Sequence, residues 1–121
     1  MTKNSIFDFE HVADTLVLIP NTDLRELEFD ALEAGSAEVF EALKSETVTN
    51  VIIDFHKTDY YGSTALAFFV KFWKRVKSRG GKMVFCEVSM HELEILELTN
   101  LTSLWPVFKT RQEATEAIQA D

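Results

Sequence analysis

Apolar and polar positions along this chain switch repeatedly between the two-residue rhythm of strands and the wider spacing of helices. Phe7 and Phe9 alternate with Asp8 and Glu10, which reads as a half-buried strand. Thr15 to Ile19 is a second strand, joined to the first across a tight Ala13-Asp14 connection and stopped by Pro20-Asn21-Thr22-Asp23. Residues 28–46, approximately, read as a helix, with Leu32, Gly35, Val39, Phe40 and Leu43 at helical spacing. Asn50 to Phe55 is a buried strand. A second helix is expected from Ser63 to Arg79, ended by Gly80-Gly81. Met83 to Val88 is the next strand. Ser89, with Glu92 three residues on, spells a capping box that opens a third helix. Trp105 to Phe108 makes a short last strand. Thr110 with Glu113 is a second capping box, followed by Ala114, Ala117 and Ile118 of a final helix.

The order β-β-α-β-α-β-α-β-α calls for an α/β fold with a mostly parallel sheet and right-handed crossovers. The first two strands are close enough to form a hairpin, so a mixed sheet of four to five strands is expected. The helix from Ser63 carries more apolar surface than one face needs. Leu66, Phe69, Val70, Trp73 and Val76 fall on one side, facing the sheet, and Trp73 is expected to be largely buried there. Phe72 lies at the edge of that stripe. Phe68 points away from it, near Lys71 and Arg75. Two readings of Phe68 stand: another element covers it, or it anchors a partner interface with a basic rim.

Composition narrows the picture. A chain of 121 residues with 46% apolar and 26% charged residues is large enough for one ordered domain, residues 1–121. No apolar run approaches the roughly 20 residues that span a bilayer. The opening MTKNSIFDFEH lacks the apolar stretch of a signal peptide. One cysteine, Cys86, rules out an internal disulfide, and a reducing, cytoplasmic location is expected. The net charge of −8 argues against general nucleic-acid binding. That charge is unevenly placed: residues 1–50 hold eleven acids and three bases, and six of the twelve Lys and Arg residues fall between Lys71 and Lys82. The basic run is either a solvated helix face or a patch that meets an acidic partner. His11, His56, His91 and Cys86 lack metal-ligand spacing, and no phosphate-binding glycine loop is present, so no metal, cofactor or small-molecule substrate is expected. His91 falls in a helix first turn and is expected to face solvent. Cys86 alternates with Val84 and Val88 and reads as a small buried apolar residue.

The most informative stretch is NVIIDFHKTDYYGSTAL, residues 50–66. An apolar strand ends in polar residues, a short loop follows, and Ser63 and Thr64 stand at the start of a long helix. A hydroxyl there is first a cap, because its oxygen accepts from a free backbone N–H. The position is also exposed and electropositive, so a phosphoryl group would be favoured by the same N–H groups and the helix dipole. Cap alone and cap plus switch are both open. Tyr60 and Tyr61 precede the site; one packs at the sheet edge and the other lines the surface near Ser63. Asp59 and Lys57 read as solvated loop charges. His56 lies near Ser63 and Asp54 in sequence, which invites a Ser-His-Asp reading. Nothing supplies an obvious oxyanion hole or substrate pocket for it.

The element order, with a hydroxyl pair between the third strand and second helix, resembles the STAS domain, the fold of bacterial anti-sigma factor antagonists. The resemblance runs from about Phe7 to Ala117 and rests on IIDFHKTDYYGSTAL, KFWKRVKSRGGKMVFCEVS and LELTNL. The family pattern is a strand ending in Asp, a short loop, Asp-Ser-Ser/Thr-Gly-Leu, a helix, Gly-Gly and a strand. Asp54 matches the strand-end acid, Ser63 and Thr64 the hydroxyl pair, Leu66 the leucine, and Gly80-Gly81 the glycine pair. Gly62 stands where the family usually has Asp, and Ala65 where it usually has Gly. The resemblance implies helices mainly on one side of the sheet and a regulatory, non-enzymatic binding module. It implies an anti-sigma factor of the serine-kinase type as partner, with Ser63 the phosphorylation target and Thr64 a second candidate. Any ATP would belong to that kinase. Nucleic acid and membrane are not implied. The partner surface is expected to comprise Asp59, Tyr61, Gly62, Ser63 and Thr64 with Phe68, Lys71 and Arg75 on the helix. A non-phosphorylated STAS scaffold or complex subunit is the alternative, with Gly62 marking loss of the kinase cycle.

Overall fold

The computed structural model describes residues 6–22, 29–58 and 63–120, the side chains of Phe29 and Ser63 excepted. In chain order the elements are β1 (Phe7–Val12), β2 (Thr15–Pro20), α1 (Phe29–Leu43), β3 (Asn50–Asp54), α2 (Ser63–Ser78), β4 (Met83–Cys86), α3 (Met90–Leu98), β5 (Val107–Phe108) and α4 (Arg111–Gln119), with a 3₁₀ turn at Leu101–Ser103 before β5. This is the order that the apolar pattern predicts.

The five strands lie side by side in sequence order. β1 and β2 form an antiparallel hairpin in which Val12 faces Thr15. Its turn places Ala13 in the left-handed region, at φ 55°, as a two-residue hairpin turn favours. All other pairings are parallel. Each parallel step needs a crossover, and the helices supply it. α1, α2 and α3 cover one face of the sheet, over Leu16, Leu18, Val51, Ile53, Met83 and Phe85. On the other face Ala114 and Ile118 of α4 pack against Val17, Ile19, Ile52, Val84 and Cys86. Burial on both faces explains why β2, β3 and β4 read as continuous apolar runs.

Helix ends are set by local chemistry. The Ser89 hydroxyl accepts from the Glu92 amide at 3.1 Å, and the Glu92 carboxylate accepts from the Ser89 amide at 2.7 Å, completing the expected capping box. At α4 the Thr110 hydroxyl accepts from the Glu113 amide at 3.1 Å. The Glu113 carboxylate takes the amide of Lys109, at 3.2 Å, instead of that of Thr110. At and just beyond the end of α1 the guanidinium of Arg79, the residue after α2, donates to the carbonyls of Leu43, Lys44, Ser45 and Val48. Free carbonyls at a helix end and in the turn after it need partners, and this one cation serves four. Gly35 in α1 is required by a close approach: a Cβ there would stand 2.7 Å from Ile6 Cγ1.

The buried arc of α2 differs from the expected stripe. Ala65, Leu66, Phe68, Phe69, Phe72 and Val76 are buried, whereas Val70 and Trp73 are half-buried. The reason is that α2 buries two flanks, one on the sheet and one on its neighbours. The Phe72 ring meets Phe40 of α1 at 5.4 Å and Phe7 of β1 at 6.2 Å, both edge-on. This rotates the apolar arc toward Phe72 and Phe68. Phe68 is only 5% exposed, so it is a core residue and not an exposed anchor. The central tryptophan is Trp105, fully buried and stacked on Phe85 at 4.8 Å.

The two tryptophans should therefore respond unequally to truncation. Trp105→Ala is expected to cost about 3–5 kcal/mol, the range for a core aromatic. Trp73→Ala should cost about 2 kcal/mol, because part of its ring stays in water in the folded protein. Urea unfolding of both variants measures this, and equal costs would contradict the assigned faces.

Candidate functional site

In a parallel sheet the strands share one carboxyl edge, and the following helices start there. This is where α/β folds place their functional loops. Here that edge carries the end of β3, the start of α2, the β4–α3 connection and the start of α4. Its chemistry centres on Asp54, the last residue of β3, only 2% exposed. One carboxylate oxygen accepts from the His56 backbone amide at 2.9 Å and from His56 Nδ1 at 2.9 Å. The other accepts from Arg111 Nε at 2.9 Å. Arg111, the first residue of α4, extends to Glu10 on β1, at 2.6 Å, while its backbone amide donates to Glu87 at 3.0 Å. Beside this network Asp8 accepts from Lys57 Nζ and from Asn21 Nδ2, each at 2.9 Å.

These contacts keep the acids ionised. Burial works to raise the pKa of Asp54, but hydrogen bonds from Arg111 and from the His56 amide and ring outweigh it, and the net shift is downward. Glu10 is held low chiefly by its hydrogen bond to Arg111, and Asp8 chiefly by Lys57. An ionised carboxylate is an acceptor only, so His56 must carry its proton on Nδ1 in this contact.

The predicted site residues are distributed as follows. Ser63 is the first residue of α2, one position inside the cap that the pattern assigned to it. Thr64 is exposed in the same turn. The first turn of α2 holds no acid, while Arg75 and Lys77 sit in its last turn, so only its carboxyl end is complemented by charge. Lys71 and Arg75 are exposed, and the Lys71 ammonium lies 4.9 Å above the ring of Phe68. That cation closes over the outer side of a buried ring. Asp59, Tyr60, Tyr61 and Gly62 lie outside the described residues, as does the Ser63 side chain. His91 is exposed. Cys86 is fully buried, and burial, with Asp54 and Glu87 nearby, pushes its thiol up to about 12, which removes it as a nucleophile.

Asp54 and His56 do meet, as a Ser-His-Asp reading would require. Yet the same Asp54 oxygen also takes the His56 amide, so the contact is a local turn two residues long. The second oxygen of that carboxylate is taken by Arg111, so Asp54 is shared and does not serve His56 alone. The arrangement anchors a loop. Among the described residues no three His, Cys, Asp or Glu residues are placed to hold a metal ion, and no helix is long and apolar enough to cross a membrane.

Arg111 and Glu10 are site residues that the sequence does not single out. The only signal was Asp54 itself. A carboxylate at the end of a buried strand needs a cation, but no spacing tells which of twelve supplies it.

Comparison with known proteins places this geometry in a family. The profile described as STAS domain matches residues 24–114. The anti-sigma factor antagonist candidate BtrV of Bordetella bronchiseptica is 27% identical over 92 residues, 73% of this chain and 79% of that protein. An anti-sigma-factor antagonist (STAS) domain protein of Planctomyces limnophilus superimposes with a TM-score of 0.81 at 27% identity, over 93% of this chain and 97% of its own. The Bacillus anti-sigma factor antagonist SpoIIAA, at 18% identity, shares the fold. Its unphosphorylated form has a TM-score of 0.80 over 95% of this chain and 97% of its own, and its phosphorylated form 0.72 over 93% and 99%.

The Asp54–Arg111 pair makes a pH prediction. A carboxyl whose folded pKa is depressed contributes stability above its unfolded pKa, and that contribution is lost as pH falls through the folded value. Arg111→Gln removes the strongest lowering contact and leaves burial opposed only by His56. It should cost about 1.5–3 kcal/mol near neutral pH, the range for hydrogen bonds to charged groups. The gap to wild type should narrow below about pH 4, as the carboxyl protonates in both proteins. Urea midpoints across that range measure it, and a gap independent of pH would show that the pair is not its origin.

Proposed function

The chain belongs to the STAS domain family, and from that premise we propose that it is a regulatory binding module of the anti-sigma factor antagonist kind. In this reading the unmodified protein binds an anti-sigma factor of the serine-kinase type in the cytoplasm and so frees a sigma factor. The kinase transfers the γ-phosphoryl group of its own ATP to the Ser63 oxygen, ADP leaves, and the product dissociates. The module performs no chemistry itself.

The observation that carries the reading is the place of Ser63. It matches the family's hydroxyl position, it opens α2 at the carboxyl edge of β3, and it heads a first turn that lacks any acid. A phosphoryl group there would add nearly two negative charges, and the helix start would stabilise them. The same charges would oppose a partner surface shaped for a neutral hydroxyl. The contact surface in this reading is the 57–62 loop, including Asp59, Tyr61 and Gly62, with Ser63, Thr64 and the exposed Lys71 and Arg75. Phe68 supports that surface from beneath. Gly62, in place of the family's usual Asp, favours a second reading, a STAS scaffold that is never phosphorylated.

Calorimetry with an anti-sigma kinase captured from the source cell separates the two. Ser63→Ala, at the first helical position and not at the cap before it, should change stability by less than about 0.5 kcal/mol and still bind. Ser63→Asp should keep the fold, since an acid is favoured in a helix first turn, and bind about tenfold more weakly or worse, at least 1.4 kcal/mol. Equal binding of wild type and Ser63→Asp, with no phosphate on Ser63 by mass spectrometry, selects the scaffold.

A further inference from the structure

The opposite edge of the sheet carries a second surface that the Ser63 switch does not use. Between the later half of α2, the start of β4 and the segment entering β5 lies a groove of about 310 Å³. Trp73, Lys77, Lys82, Met83, Leu104 and Pro106 line it. Trp73 is half-buried, so part of its ring is open to solvent. Lys77 Nζ sits 5.6 Å over that ring. Leu104, 38% exposed, is one of the few large apolar side chains that the described residues leave in water.

Charge tells what this groove suits. In a chain of net charge −8, half of the Lys and Arg residues lie between Lys71 and Lys82, and α2 contains no acid at all. Arg79 is committed to the carbonyls at and just beyond the end of α1. Lys77 and Lys82 line the groove, and no acidic residue does. A merely solvated basic face would not need an open tryptophan and leucine between its cations. An apolar centre with a cationic rim is the form of a peptide-docking site. Nucleic acid fits poorly, because the rest of the protein is strongly acidic.

We propose that the groove of Trp73 and Leu104 docks an acidic segment of a partner protein, one large apolar side chain entering against the two residues and flanking carboxylates meeting Lys77 and Lys82. This surface lies at the amino edge of β4 and β5, whereas Ser63 follows the carboxyl edge of β3. A partner held here therefore stays accessible to either state of Ser63.

The probe is a short capped peptide of glutamates around one phenylalanine, with a control peptide carrying lysine in place of each glutamate. NMR titration reads the two indole N–H signals separately, and Trp105, fully buried, is the internal reference. The glutamate peptide should shift the Trp73 and Leu104 signals, leave Trp105 in place, and bind more weakly as salt rises. Lys77→Glu and Leu104→Ser, both at exposed side chains that should leave the fold intact, should each weaken it about tenfold. Ser63→Asp should leave it unchanged, which keeps this test independent of the proposed switch. Equal binding of the lysine peptide, shifts confined to residues 56–66, or no shift at Trp73 would overturn the proposal. So would sedimentation showing a dimer that Lys77→Glu dissolves, because the groove would then hold a second copy of the chain.

Discussion

A carboxylate buried at the end of the central strand is the constraint around which this molecule is arranged. Removing an ionised group from water costs several kcal/mol unless a counter-charge and hydrogen bonds replace the solvent. Asp54 obtains both, from Arg111 on one oxygen and from His56 on the other. The consequences extend well beyond the pair. Arg111 must stand at the first position of α4, which brings that helix across the second face of the sheet. Its guanidinium then has donors to spare, and Glu10 on β1 takes them. One buried acid thus ties together the hairpin, the central strand and the final helix.

The same pair determines how the chain leaves the sheet. The His56 amide and ring are both held by Asp54, and Lys57 is held by Asp8. The root of the loop leading to α2 is therefore fixed to two strands before the loop proper begins. The acids at this edge are matched to particular cations: Asp8 to Lys57, and Asp54 and Glu10 to Arg111. A phosphoryl group on Ser63, in the proposed cycle, would be favoured by the helix start.

Local chemistry was legible in the sequence, and long-range chemistry was not. The strands, the helices and the Ser89 box depend on residues within a few positions of each other, and each emerged near where the pattern put it, although β4 stops at Cys86 and not Val88, and β5 starts at Val107 and not Trp105. The strand-end acid Asp54 was visible too. Its cation lies 57 residues away, and only the folded topology brings the two together. The faces of α2 failed for a related reason. Helical periodicity locates one apolar stripe, but α2 is buried against the sheet and also against Phe40 of α1, and the second contact moves Phe68 and Phe72 inward and Trp73 outward. Arg79 was read as one more charge in a basic run, although its role is to hold the carbonyls at and just beyond the end of α1.

That outward turn of Trp73 gives α2 two distinct ends. Its first turn meets the loop rooted on Asp54, and its later half borders the groove with Leu104. Between them the helix is pinned by Phe69 and Phe72, which share the aromatic core with Phe55, Phe85 and Phe7. An interior packed this densely moves as one body, so a small shift at the first turn has no soft segment in which to dissipate. Binding at one end could influence the other only by displacing the whole helix against this core. In the proposed readings, the Ser63 switch and the docking groove lie at opposite ends of one helix, and displacing that helix as a unit is the route by which one would sense the other. The distance between them is held constant by the buried phenylalanines.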